Sequence, residues 1–134
     1  MKLKPVEKGN YDVYAVEGNS GICELLDYLE NIPANLASSR SQLLNIFKLV
    51  VEHGPMKLSK ERSHWADEDN KIYEFVANRL RVLWFYDEGK LVICSHVFPK
   101  TTQKTPKKQS RKAAKLRSRY FEEKERGELE FLEE

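Results

Sequence analysis

The chain has 134 residues, of which 40% are hydrophobic and 33% are charged, and its formal net charge is +2. This length suits one globular domain with a single core, and the hydrophobic fraction excludes a wholly disordered chain. Apolar runs fall short of the ~20 residues of a spanning helix, and the first residues lack an apolar signal core. We therefore expect a cytoplasmic protein without membrane contact, in which Cys23 and Cys94 are buried and reduced.

Charge is strongly segregated along the chain. Residues 95–121 carry nine Lys and Arg residues and no acid, whereas residues 122–134 carry seven acids against two basic residues. A cationic block without counter-charges repels itself, which favours a polyanion as its ligand, although a solvated helix face is the alternative. We predict a single domain over residues 1–126 and an acidic C-terminal tail over residues 127–134.

The N-terminal part predicts one strand followed by two helices. Residues 11–16 alternate aromatic and β-branched side chains, as a strand does. Apolar residues then recur at helical spacing over residues 22–32, and Pro33 interrupts this helix. A longer helix is predicted to bury apolar residues between 36 and 51 and to end at Gly54, which is followed by proline.

The middle of the chain predicts a loop and three strands. Residues 55–70 are polar and mixed, which is typical of a connecting loop. Strands are predicted at about 72–77, 79–87 and 90–98, and Gly89 supplies the positive φ of a hairpin turn. The expected fold is α+β, with two N-terminal helices packed on a small curved antiparallel sheet and a basic C-terminal helix.

The last helix carries the basic block. Thr105 is predicted as its N-cap and Pro106 as its first residue, and the helix is expected to end near Arg126. Two lysines occupy its first turn, where the helix dipole disfavours cations by about 0.3–1 kcal/mol, so this charge indicates anion binding rather than helix stability. The candidate RNA- and ribosome-binding residues are Lys104, Lys107, Lys108, Arg111, Lys112 and Lys115.

Several chemistries lack any signature. His53, His64 and His96 show no metal-ligand spacing and lie far from the cysteines in sequence, so no metal and no other cofactor is predicted. Glycine-rich phosphate loops and a nucleophile elbow are also missing from the sequence. Nucleotide-dependent enzymes and serine hydrolases of that type are therefore excluded.

Four polar residues near the predicted sheet remain candidates for catalysis. Arg79 and Arg81 fall on one face of a strand, where paired guanidiniums suit phosphate, or where their stems cover the core. His96 and Lys100 flank the end of the next strand. His96 is interpreted either as a core or rim histidine or as a proton-transfer group.

Four short motifs carry a resemblance to a known family. Residues 72–75 read Ile-Tyr-Glu-Phe, residues 80–85 Leu-Arg-Val-Leu-Trp-Phe, residues 96–100 His-Val-Phe-Pro-Lys and residues 103–106 Gln-Lys-Thr-Pro. Together with the basic helix that follows, this pattern resembles the RelE/ParE superfamily of toxins, in particular the HigB-like, phage-derived toxins.

The resemblance implies a RelE-like fold and a toxin of a type II toxin–antitoxin pair, neutralised by a helix-turn-helix antitoxin. It further implies a ribosome-dependent, metal-free mRNA endonuclease, an mRNA interferase that inhibits translation; the ParE branch instead poisons DNA gyrase. The family's strand arginine corresponds to Arg81, and its basic residue after the phenylalanine corresponds to Lys100. Val76 and Thr101 stand at two positions that are usually basic in the family.

Metal-free RNA cleavage needs a base for the 2′-hydroxyl, positive charge at the phosphorane and an acid for the leaving 5′-oxygen. We assign the positive charge to Arg81 with Arg79, and proton transfer to Lys100 or His96. Two alternatives remain: a non-catalytic toxin-fold module that binds RNA or an antitoxin, and a gyrase-inhibiting toxin.

Overall fold

The computed structural model describes residues 1–101 and 103–133, which form one mixed sheet with helices on both faces. The strands are β1 (Lys2–Lys8), β2 (Asp12–Glu17), β3 (Ser63–Asp67), β4 (Ile72–Ala77), β5 (Leu80–Asp87), β6 (Leu91–Pro99) and β7 (Glu130–Phe131). The helices are α1 (Glu24–Glu30), α2 (Ala37–His53) and α3 (Lys107–Glu125), with short 3-10 helices at Ala34–Leu36 and Pro55–Lys57.

The prediction of two N-terminal helices packed on a small curved antiparallel sheet is wrong. The sheet has seven strands in the order β3-β4-β5-β6-β2-β1-β7, and an N-terminal hairpin of β1 and β2 precedes the first helix. Strand β2 runs parallel to β6, and β7 runs parallel to β1, so the sheet is mixed. Parallel neighbours lie far apart in sequence and leave no local turn signal, which is why the pattern along the chain missed them.

Two of the missed strands also lack a strong hydrophobic pattern. In β1, only Leu3 and Pro5 are buried, and the proline argues against a strand when the sequence is read alone. Strand β3 has no buried residue, lies within the predicted loop and pairs with β4 at the edge of the sheet. The three strands predicted from strong patterns are confirmed as β4, β5 and β6.

The sheet separates two cores. Residues of β5 at even positions, such as Val82 and Trp84, pack with α1 and α2, whereas Leu83 and Phe85 pack with α3. This alternation follows from the two-residue period of a strand. A bulge in β6 opposite Leu83 and Trp84 interrupts the alternation of this strand and places His96 on the face that α3 covers.

Turn glycines behave as the sequence predicts. Gly89 adopts φ +74° in the β5–β6 hairpin. Gly54 ends α2 with φ +86°, and a Cβ there would lie 2.7 Å from the Tyr11 ring. Gly54 is therefore required both for its backbone conformation and for close packing.

Helix α3 is anchored at its C-terminal end. The buried Tyr120 hydroxyl donates to Asp87 Oδ2 at 2.6 Å, and Lys124 Nζ donates to Asp87 Oδ1 at 2.7 Å. Beyond the helix, the Glu130 amide donates to the Met1 carbonyl at 2.9 Å and so adds β7 to the sheet. Part of the predicted tail 127–134 is thus a strand, and its last residue lies outside the described residues. Within residues 1–101 and 103–133, no helix has both the length and the apolar character needed to cross a bilayer.

Candidate functional site

The N-terminal half of α3 presents the basic block to solvent. All six residues predicted to bind RNA are exposed: Lys104, Lys107, Lys108, Arg111, Lys112 and Lys115. Two clefts flank this part of the helix, and Arg111 lines both of them. The fold therefore keeps the cations on a single accessible surface.

The larger cleft, called the α3 groove here, has a volume of about 960 Å³ and lies between α3 and the chain leading from β2 into α1. Its lining combines apolar side chains of Val16 and Leu116 with a rim of cations. One rim cation, Lys112, pairs with Glu24 at 3.1 Å, and both side chains remain more than half exposed. Such a groove suits a partner that is apolar on one side and anionic on the other. The rim cations are Lys108, Arg111, Lys112, Lys115 and Arg119.

The smaller cleft, called the His64 cleft here, has a volume of about 630 Å³ and lies where β3 and β4 meet the start of α3. Its cationic lining residues are Lys104, Lys107 and Arg111. Its remaining ionisable lining residues are His64, Asp67 and Glu74. The cleft therefore combines an anion-attracting rim with groups that can exchange protons.

A carboxylate lies at the base of this cleft. Glu74 is 1% exposed, and its Oε1 lies 2.8 Å from His64 Nε2. Its Oε2 accepts from the Thr105 hydroxyl at 2.5 Å and lies 3.7 Å from Arg81 Nη1. The buried charge is thus compensated by two basic groups and one hydroxyl, as burial of a carboxylate requires.

Thr105 does not cap α3, contrary to the prediction. The N-cap position belongs to Pro106, and no side chain donates or accepts a capping hydrogen bond there. The Thr105 hydroxyl donates to the buried Glu74 carboxylate instead, and hydrogen bonds to a charged acceptor are stronger than those between neutral groups. The predicted N-cap is therefore wrong, because a tertiary contact engages the hydroxyl.

His64 has one hydrogen-bond partner at each ring nitrogen. Its Nδ1 lies 2.7 Å from the Lys60 main-chain oxygen, and its Nε2 lies 2.8 Å from Glu74. A main-chain carbonyl only accepts hydrogen bonds, so Nδ1 carries a proton. The side chain is 40% exposed, and the ring lines the cleft.

Arg81 lies behind the cleft rather than on its surface. The residue is 3% exposed, and its Nη2 donates to the Gln103 main-chain oxygen at 2.7 Å. With the contact to Glu74, this bond ties the segment before α3 to the sheet. The catalytic role assigned to Arg81 stays a prediction, and in the structure the guanidinium contacts protein groups.

His96 joins the sheet to α3. The residue is 3% exposed; its Nε2 lies 2.7 Å from Gln109 Oε1, and its Nδ1 lies 2.8 Å from the Ser95 hydroxyl. Neither partner is charged, and a neutral imidazole satisfies both contacts. Burial lowers the pKa of His96, and the hydrogen bond with Gln109 only partly opposes that effect. Of the two interpretations of the sequence, the core histidine fits this environment.

Arg79 and Lys100 lie side by side at one end of the sheet. Both are exposed, and the Lys100 amide donates to the Arg79 carbonyl at 2.7 Å. Val76 pairs with Arg81 in the register of β4 and β5. The four predicted catalytic residues thus divide into an exposed pair, Arg79 and Lys100, and a buried pair, Arg81 and His96.

The sequence pattern does not reveal His64 and Glu74 as partners. Glu74 alternates with the apolar Tyr73 and Phe75, a pattern that predicts a solvent-facing carboxylate, but α3 covers that face of the sheet. His64 had no such signal, since it lies in the segment predicted as a loop. Among the described residues, no group of three or more His, Cys, Asp and Glu side chains is arranged to hold a metal ion.

No curated protein matches this chain closely enough to count as a relative. A family model does match: residues 27–118 fit the family described as Phage derived protein Gp49-like (DUF891). The matched region spans about two thirds of the chain and includes α2, the strands β3 to β6 and the basic part of α3. The chain therefore belongs to the Gp49-like family of phage-derived proteins.

Proposed function

We propose that this protein is the toxin of a type II toxin–antitoxin pair and cuts mRNA on the ribosome without a metal ion. The observation that carries the proposal is the exposed cationic surface at the N-terminal half of α3, which borders a cleft containing proton-exchanging groups. The phage-derived family and the motif resemblance to RelE-like toxins support it further.

The cationic surface suits a nucleic-acid backbone. Neutralising phosphates releases counterions, so exposed lysines and arginines on one face bind RNA strongly at low salt. Lys107 and Lys108 lie in the first turn of α3, where main-chain amides add to the attraction for an anion. In this proposal, Arg79 and Lys100 contact the RNA, because they are the exposed members of the predicted catalytic set.

The proposed protein partner is a helix-turn-helix antitoxin. The α3 groove supports this part of the proposal, since its apolar side chains and cationic rim fit an acidic amphipathic segment. A segment bound there would cover Lys108, Lys112 and Lys115 and so block the surface that holds RNA. Binding and inhibition would then use the same cations.

Primer extension in a purified translation system tests the proposal. We expect cuts within translated codons when the protein is added, and none on the same mRNA without ribosomes. Lys100→Gln is expected to reduce cutting by about 100-fold, because it removes a positive charge that stabilises the phosphorane. Lys48→Gln is the matched control, because Lys48 is an exposed lysine on α2, away from both clefts. Intact mRNA with folded protein and active ribosomes would refute the nuclease.

A non-catalytic RNA- or antitoxin-binding module is the second candidate. The burial of Arg81 and His96 favours it, because neither side chain is placed to contact a phosphate. This module would bind a ribosome-loaded mRNA as tightly as the nuclease but leave it whole. Binding measured with 2′-O-methyl RNA, combined with the primer extension, separates the two candidates.

A further inference from the structure

The pair formed by His64 and Glu74 has a geometry suited to proton transfer. We propose that His64 is the general acid that protonates the leaving 5′-oxygen, and that Glu74 positions it. This inference rests on the proposed endoribonuclease function and names the proton donor of that reaction.

The contacts of the ring explain why it acts as an acid. The Nδ1 of His64 donates to the Lys60 carbonyl at 2.7 Å and Nε2 lies 2.8 Å from Glu74, so the ring presents a donor proton beside a carboxyl group. Glu74 fixes Nε2 and therefore the plane of the ring. The Nδ1 proton is held only by a main-chain carbonyl, an acceptor that a substrate oxygen can replace.

The charge around the pair is balanced. Arg81 lies 3.7 Å from Glu74, so the carboxylate retains a buried cation after the ring gives up its proton. Loss of the proton therefore leaves no uncompensated buried charge at Glu74. Thr105 keeps the second oxygen of Glu74 occupied and prevents the carboxylate from turning away from the ring.

The surroundings of His64 place a phosphate beside it. Lys104, Lys107 and Arg111 line the same cleft, and they attract the phosphodiester and the negative charge that grows on it. Asp67 also lines the cleft and makes the region near β3 less favourable for a phosphate. The phosphodiester is therefore expected in this cleft with its leaving 5′-oxygen at Nδ1, in the place of the Lys60 carbonyl.

The other histidines do not offer this arrangement. His53 is 53% exposed at the end of α2, and its Nε2 lies 3.6 Å from Glu52, outside both clefts. His96 is buried with both ring nitrogens bonded to neutral side chains. His64 is thus the histidine in a cation-lined cleft.

The proposed step is a transesterification. The 2′-hydroxyl gives its proton to solvent water or hydroxide, and its oxygen forms a bond to phosphorus. The bond between phosphorus and the 5′-oxygen breaks, and that oxygen takes the Nδ1 proton of His64. The products are a 2′,3′-cyclic phosphate and a 5′-hydroxyl, and the ring regains its proton from water.

An mRNA with sulfur in place of the leaving 5′-oxygen tests the assignment, because a thiolate leaves without being protonated. His64→Ala is expected to cut the ordinary ribosome-bound mRNA at least about 100-fold more slowly than wild type. On the sulfur-containing mRNA, the same variant should cut within about threefold of wild type, since general-acid assistance is no longer needed. His53→Ala is the matched control and should equal wild type on both substrates.

Several results would overturn the assignment. Equal slowing of His64→Ala on both substrates would show that the ring acts only through structure, and undiminished cutting would show that it has no role. If His64→Ala does not fold, His64→Gln serves in its place, since the exposed ring position tolerates a polar side chain. Wild type that cuts neither substrate refutes the nuclease itself, which distinguishes that failure from a wrong proton donor.

Glu74→Gln tests the positioning role separately. The amide keeps the size of the side chain but removes the carboxylate that contacts Nε2 of His64. We expect a lower kcat with unchanged KM on ordinary mRNA and a smaller loss on the sulfur-containing mRNA. An equal loss on both substrates would overturn the positioning role.

Discussion

Removing either partner of the buried Arg81–Glu74 ion pair is expected to destabilise the protein more than removing a partner of an exposed ion pair would. The two side chains are 4% and 1% exposed, and the N–O distance is 3.7 Å. Arg81→Met keeps the aliphatic bulk but leaves Glu74 without its buried cation, and such truncations cost about 3–5 kcal/mol. His64 and Thr105 still bond the carboxylate, so we expect the lower value, about 3 kcal/mol, out of a total of ~5–15 kcal/mol.

A double-mutant cycle measures the pair itself. Combining Arg81→Met with Glu74→Gln removes both charges, so the double variant should be more stable than the sum of the single losses predicts, by about 1–3 kcal/mol. Urea unfolding followed by Trp84 fluorescence provides the free energies, since Trp84 is fully buried.

The exposed pair of Lys112 and Glu24 is the control cycle. These side chains are 54% and 67% exposed at 3.1 Å, and exposed pairs couple by about 0.2–1 kcal/mol. If the stability losses of Arg81→Met and Glu74→Gln sum to within about 0.5 kcal/mol of the loss of the double variant, the buried ion pair is refuted, because independent sites are additive.

Three further predictions concern a glycine, a histidine and a lysine. Gly54→Ala should lower the free energy of unfolding in urea by about 3 kcal/mol, and Gly89→Ala should lower it by about 1 kcal/mol. Both glycines have positive φ, but only the methyl group at position 54 would collide with the Tyr11 ring. Equal losses for the two variants would contradict this packing. The pKa of His96 is lowered in the folded state, so the unfolded chain binds more protons and the free energy of unfolding should fall as pH drops below about 6.5. His96→Asn should show a shallower fall with pH than wild type. Parallel pH curves for the two proteins would contradict this prediction. Lys115→Gln should reduce the salt dependence of single-stranded RNA binding by about 0.7 in the log–log slope, with Lys48→Gln unchanged; equal slopes for both would exclude Lys115 from the interface.

Local patterns predicted the elements whose signals lie within a few residues. The alternation in β5 correctly put the Arg81 side chain on the same face as Leu83 and Phe85, and the glycine followed by proline correctly identified the end of α2 at Gly54. Exposure of most cations in residues 95–121 was also predictable, because nine like charges cannot be buried together.

The alternation could not show which groups of the folded protein contact the Arg81 guanidinium. The face was correct, but α3 covers that face and Glu74 comes from the neighbouring strand, so the guanidinium is enclosed rather than open to a phosphate. A sequence reports which side a residue occupies, and the packing of distant elements decides whether that side is solvent or core.

The sequence by itself determined the helix faces, three central strands, the concentration of positive charge in one segment and a family resemblance that the phage-derived match partly supports. Only the tertiary structure decided the mixed seven-stranded sheet and the meeting of His64, Glu74 and Thr105. The physical reason is the range of the interactions. The hydrophobic period and the local charge depend only on neighbouring residues, whereas the pairing of β2 with β6 and the contact of Thr105 with Glu74 join chain segments more than thirty residues apart.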